Sequence, residues 1–331
     1  MGEIKRELIF FLISVFVGAA LCGALIPLLK KLKAGQTILG YVDNHKTKSG
    51  TPTMGGFSFA FAALVVFLIA KGKNSRLAFV LILVSFSFLI VGAMDDFIKI
   101  RFRKNEGLTA FQKICFQAVI SLIITCFVYF KGFVDFFIPF KNAFINLGVF
   151  GAVLCFFVFL ATTNCVNLTD GLDGLAGGVS YVYLLVFYAL IKIQVIVFPE
   201  NFVISEECEN IALLCLIQAG ALIGYLCFNT YKATVFMGDT GSLYLGGFIA
   251  ASGVLCGNVL FIPLIGVMFV ASGASVIIQV FHYKRTKKRV FLMAPLHHHF
   301  EYKGHSESKI CFYYKLVTLI AGVICIISVI K

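Results

Sequence analysis

Four short stretches of this 331-residue chain carry side chains suited to chemistry. The first is the pair Asp95-Asp96, which follows Val91-Gly92-Ala93-Met94. Two adjacent carboxylates repel unless a cation or basic group compensates, although a solvated helix end capped by nearby Lys99 and Arg101 would account for the pair without chemistry. The second runs from Asn164 to Gly178 and spaces Asn167, Asp170 and Asp173 three residues apart, so a helix there would put all three on one face. Capping of a helix accounts for one of these aspartates, but not for the density of amides, carboxylates and glycines around them. Third comes Phe236-Met237-Gly238-Asp239-Thr240-Gly241-Ser242, where two glycines let backbone approach a ligand and the amides of a starting helix favour anions. The fourth is Pro295-Leu296-His297-His298-His299-Phe300; three consecutive histidines cannot all point at one site, yet a purely structural run of three is uncommon. Carboxylates from separate loops suggest magnesium, which takes one or two protein carboxylates and completes its octahedron with water and phosphate oxygens. Histidine and lysine would then meet phosphate charge, and the reaction class that uses these parts is phosphoryl or phosphosugar transfer.

These stretches must be held by membrane helices. The chain is 60% hydrophobic and 13% charged, so lipid is its main solvent. Apolar runs near the roughly 20 residues that cross a bilayer recur at 8–29, 54–70, 77–94, 114–130, 144–162, 174–198, 211–228, 241–256, 259–281 and 311–330. The eighth and ninth form one apolar stretch divided at Gly257-Asn258. Nineteen of the 28 Lys and Arg fall in the odd-numbered connections or at their edges, whereas the sixth connection carries Glu200, Glu206, Glu207 and Glu209. Positive charge marks the cytoplasmic side, so both termini should be external and all four chemical stretches should face the cytoplasm. A single helix across Gly257 would move the cluster from Lys284 to Arg289 to the outside, against that rule.

The expected fold is therefore an all-α integral membrane protein of about ten transmembrane helices, one domain over 1–331, with its active site in a cytoplasmic-face cleft. The net charge of +12 sits in short clusters between apolar runs, which argues for a membrane and not for nucleic acid as partner. The 11 cysteines lie mostly inside apolar runs and read as small apolar residues. The stretch from Leu8 to Leu29 behind Lys5 and Arg6 is too long for a signal peptide and reads as the first span.

Five motifs in order, Lys48-Ser49-Gly50-Thr51-Pro52-Thr53-Met54-Gly55-Gly56, Asp95-Asp96, Asn167 to Gly178, Gly238 to Gly247 and Pro295 to Phe300, make the whole chain resemble one family. It is that of the phospho-N-acetylmuramoyl-pentapeptide transferases, within the polyprenyl-phosphate N-acetylhexosamine-1-phosphate transferases. The resemblance implies transfer of phospho-MurNAc-pentapeptide from UDP-MurNAc-pentapeptide to undecaprenyl phosphate, giving lipid I and UMP, the first membrane step of peptidoglycan synthesis. It also implies a bacterial inner-membrane homodimer using Mg2+. By the same carry-over Asp239 is the magnesium ligand, Asp95 the base or nucleophile, Asp96 its partner near the lipid phosphate, and His298 with His297 and His299 meets substrate phosphates. Lys48, Thr53, Asn167, Asp170, Asp173, Asn229, Phe236 and Gln279 match positions of the nucleotide pocket, with Phe236 stacking on uracil, and Lys113 matches a lysine near the lipid phosphate. The chain departs from the family at Gly304-His305-Ser306-Glu307-Ser308-Lys309, where Gly-Trp-Pro-Glu-Pro and a basic residue are usual, and it has no tryptophan.

Two other functions share some of these features. A GlcNAc-1-phosphate transferase for another surface polymer would carry the acidic motifs, but Thr51-Pro52-Thr53-Met54-Gly55-Gly56 and the triple histidine favour the MurNAc-pentapeptide enzyme. A transporter would place its charges near the bilayer midplane, whereas these sit at helix ends on one side.

Overall fold

A computed structural model describes residues 2–32, 50–72, 74–102, 107–198 and 205–330. In chain order the helices and strands are α1 (Gly2–Lys31), α2 (Gly56–Ala70), α3 (Arg76–Phe102), α4 (Ala110–Phe130), β1 (Asp135–Ile138), β2 (Ala143–Asn146), α5 (Gly148–Thr169), α6 (Leu175–Val197) and α7 (Ser205–Asn229). They continue with α8 (Gly238–Leu255), α9 (Phe261–Ile265), α10 (Val267–Thr286), α11 (Leu296–Tyr302) and α12 (Glu307–Ile327). Eight of these, α1, α3, α4, α5, α6, α7, α10 and α12, are long and apolar enough to cross a membrane. Their outer faces carry bare apolar side chains such as Phe16, Leu83, Ile123 and Ile277, a surface that suits lipid.

Helix α8 is the axle of the bundle. Every residue from Thr240 to Leu255 is buried, and α2, α3 and α5 pack on its sides. Small residues make that possible, as close helix approach in membranes requires. A Cβ at Gly92 of α3 would overlap the carbonyl oxygen of Asp239, and one at Gly56 of α2 would overlap Gly241. On a third side Gly246 lies against Thr163 of α5.

At one end the α2–α3 connection meets the start of α7, where the Gly72 amide donates to Asn210 at 3.0 Å and the Leu77 amide to Glu207 at 2.8 Å. The hairpin joins the same end: Phe137 packs on Phe198 after α6, and its amide donates to the Gly257 carbonyl at 2.8 Å. Buried Glu7 of α1 accepts from Tyr188 at 2.7 Å and pairs with Lys192 of α6 at 3.0 Å, a polar staple between two apolar helices. The opposite end gathers the four chemical stretches.

Four sequence expectations are corrected. The fold is not wholly helical, because β1 and β2 pair antiparallel with Asp135 opposite Asn146, burying Phe136 and Phe137 under the connection. Helix α3 runs to Phe102, so Asp95 and Asp96 lie inside it; Lys99 and Arg101 in the last turn favour that extension. The chain does break at Gly257 (φ +68), but the ninth run breaks again at Gly266, between α9 and α10. Finally, only Asn167 is helical among Asn167, Asp170 and Asp173: α5 ends at Thr169 and Gly174 (φ +72) turns the chain, so the three share no helical face.

Candidate active site

Asp95, Asp96 and Asp239 converge so that one oxygen from each lies within 4.8 Å of the others. Asp95 and Asp96 come from the buried face of α3 and Asp239 from the first turn of α8, brought together by the contact at Gly92. Three carboxylates in so small a space need compensation. Lys99, one turn after Asp95, bridges Asp95 and Asp239 at 2.6 Å each. Lys113 of α4 reaches the same Asp239 oxygen at 2.9 Å and Asp95 at 3.4 Å. Asn167 of α5 donates to the other Asp239 oxygen and to the Ser242 hydroxyl.

The three carboxylates have different surroundings. Asp239 faces cations and an amide. Asp95 is fully buried, and Gly107 and Leu108, just before α4, lie against it, with the Leu108 amide donating to Oδ1 at 2.9 Å. Asp96 Oδ1 accepts from the Asp239 amide at 3.2 Å, while Oδ2 accepts from the Thr240 amide at 2.9 Å and hydroxyl at 2.6 Å. Asp96 thus caps α8 from a neighbouring helix, and Asp239 does not cap its own.

Around the cluster, loops from three connections are laid edge to edge. The Phe236 amide donates to the Pro52 carbonyl and the Gly55 amide to Phe236, both at 2.8 Å, which sets Thr53 beside Gly238. Phe236 itself is half-buried. Asp170, also half-buried, is pushed up to about 8 by burial and by the carboxylates of Asp239, Asp96 and Asp173. His297 is buried with its ring against Gly171, one residue from Asp170.

Not every expected site residue faces this cluster. Asp173 accepts from the Ala233 amide at 3.0 Å and its own amide donates to Glu307 at 3.2 Å, tying the loop to α12. Asn229 accepts from Gly174 at 3.2 Å and donates to Val235 at 2.8 Å. Gln279 spends its oxygen on the amides of Val290 and Phe291, at 3.0 and 2.9 Å. The histidines diverge: His298 pairs with Glu301 at 2.9 Å, and His299 accepts from the Leu292 amide at 3.1 Å. Lys48 lies outside the described residues. Lys99 and Thr240 were not singled out as site residues, although the i,i+4 spacing of Asp95 and Lys99 was visible in the chain.

An all-oxygen donor set with two ammonium groups already drawn to one Asp239 oxygen is chemically suited to a hard divalent cation. Glycosyl transferase family 4 matches residues 78–257, which include the three aspartate-bearing stretches. Proteins named phospho-N-acetylmuramoyl-pentapeptide-transferase align over nearly the full length. The one from Clostridioides difficile is 40% identical over 97% of this chain and 96% of its own, that from Clostridium novyi 39% over 99% and 97%, and that from Clostridium acetobutylicum 40% over 99% and 99%.

Proposed function

The chain belongs to the phospho-N-acetylmuramoyl-pentapeptide-transferases of glycosyl transferase family 4, and from that premise we propose that its acidic cluster transfers phospho-MurNAc-pentapeptide from UDP-MurNAc-pentapeptide to undecaprenyl phosphate. The products are lipid I and UMP. The observation that carries this reading is the convergence of Asp95, Asp239, Lys99, Lys113 and Asn167 from four helices at one end of the bundle. An oxygen of the lipid phosphate attacks the phosphorus attached to the sugar; the pyrophosphate P–O bond breaks and UMP leaves with its electron pair.

Positioning and charge compensation are what such a transfer asks of a protein. Lys99 and Lys113 offset the charge of two phosphates brought together. Asp95 takes the proton of a monoprotonated lipid phosphate, a role that contributes about 10² to 10⁴ in rate. Asp239 would hold a magnesium ion, which supplies positive charge at the pyrophosphate when bound. Thr53, Asn167, Asp170 and the Phe236 ring serve the nucleotide side, with His297, His298 and His299 bordering it, and Lys48 is assigned to the same pocket by the family resemblance alone. Asp173, Asn229 and Gln279 support it by fixing the loops.

The protein works in the bacterial cytoplasmic membrane, with ten crossings, external termini and the cluster facing the cytoplasm. The distribution of Lys and Arg supports that orientation, and the family resemblance supports a homodimer. The deciding assay offers UDP-MurNAc-pentapeptide and UDP-GlcNAc separately, with undecaprenyl phosphate and Mg2+, and follows UMP release. Turnover with the first alone is expected; equal or preferential use of UDP-GlcNAc would overturn the assignment.

A further inference from the structure

Asp96 differs from its two neighbours in what it touches. Its partners are the amides of Asp239 and Thr240 and the Thr240 hydroxyl, at 3.2, 2.9 and 2.6 Å, and only 2% of its surface is exposed. We propose that Asp96 is a positioning residue that, through Thr240, fixes the first turn of α8 so that Asp239 presents its carboxylate to the metal and the phosphates. It neither exchanges a proton with substrate nor touches it. This inference rests on the cluster being the phosphotransfer site.

Two turns of α3 grip the same piece of α8. Gly92 lets the α3 backbone lie against the Asp239 carbonyl, and one turn later Asp96 takes the two amides at the end of α8. A carboxylate at a helix N-terminus is favoured by the macrodipole, and its hydrogen bonds are of the stronger, charge-assisted kind. Gly238, at φ +69, turns the chain into α8 and leaves room for Asp96 and Thr53, which a Cβ there would strike. Asp239, its amide bonded to Asp96 and its carbonyl lying against Gly92, turns its side chain to Lys99, Lys113 and Asn167. Thr240 is fully buried, so its hydroxyl has one evident task, the bond to Asp96.

The test uses the full-length protein and compares Thr240→Val, Thr240→Ser, Asp96→Asn and the double variant Asp96→Asn/Thr240→Val. Binding of Mn2+ alone, without either substrate, is measured by electron paramagnetic resonance beside turnover and its pH profile. Thr240→Val keeps all three carboxylates and the side-chain shape; losing one hydrogen bond to a charged group, it should bind Mn2+ roughly fivefold to tenfold more weakly. Thr240→Ser keeps the hydroxyl and should bind as wild type does. In the double variant the valine should add nothing to Asp96→Asn, and the pH profile of Thr240→Val should keep its shape at a lower plateau. Equal Mn2+ binding by wild type and Thr240→Val would overturn the proposal, as would no Mn2+ binding by wild type. So would an Asp96→Asn protein that binds Mn2+ normally but loses one limb of the pH profile, because that places Asp96 in the chemistry. Should Asp96→Asn fail to fold, the valine–serine comparison decides alone. Failure of the transferase reading would appear separately, as absence of lipid product from the wild-type protein.

Discussion

Asp239 stands in the first turn of a helix, where an aspartate commonly serves as a cap, yet its oxygens meet Lys99, Lys113 and Asn167. The two roles predict opposite outcomes for Asp239→Asn. Asparagine caps as well as aspartate, so a cap would be replaced almost silently. Loss of charge instead removes the group that holds a divalent ion and offsets its dehydration. Lipid I formation by Asp239→Asn, measured against Mg2+ concentration, should fall by orders of magnitude and recover only slightly at high Mg2+. A wild-type Mg2+ curve would decide for the cap. Asp239, Asp95 and Asn167 were legible in the sequence because each is a polar group beside an apolar run, where it is costly. Lys99 was read there as ordinary charge at a helix end, since pairing at i,i+4 occurs on many helices. Its second partner, Asp239, lies 140 residues away and enters only through the packing of α3 on α8.

Among the elements, α8 shows how a backbone contact controls a side chain. Gly92→Ala adds one methyl group where α3 meets the Asp239 carbonyl. Overpacking of this kind costs about 1 to 3 kcal/mol, and the shift falls on the peptide that carries Asp239. Thermal unfolding in detergent should show the loss of stability, and turnover should fall with it. Gly23→Ala, whose new methyl would meet only the Phe228 ring at 3.5 Å, is the control and should be near neutral in both. If the two variants behave alike, the α3–α8 contact has no special bearing on the site. Helix positions were legible from apolar runs, and the turn at Gly257 from charge placement. Their ends were not, because α3 continues past its apolar run on the strength of Lys99 and Arg101. The hairpin was missed because Phe136 and Phe137 are buried by a neighbouring connection, which no local period records.

At the scale of the whole molecule, the acidic cluster and the loop from Lys284 to Lys309 belong to one end of the bundle, and Glu206 and Glu207 to the other. Charge orients that axis: the basic end should face the cytoplasm. Single cysteines at Ser306 and at Glu209, in a protein whose native cysteines have been replaced, test this in intact cells with a membrane-impermeant thiol reagent. Glu209 should label from outside, and Ser306 only after permeabilisation. Equal labelling of both from outside would sink the orientation. Which stretches share an end was legible from counting spans; which side chains meet there was not, because that depends on the angles at which helices cross.

The buried staple between Glu7 and Lys192 has a consequence for assembly. Its partners are 185 residues apart in the chain, so during synthesis α1 is in the bilayer long before α6 exists. A buried carboxylate without its ammonium partner is costly. Helix α1 therefore reaches its full set of partners, α2, α7 and the α6 lysine, only once all of them have been made. Lys192, the one charge in an otherwise apolar helix, completes that pairing.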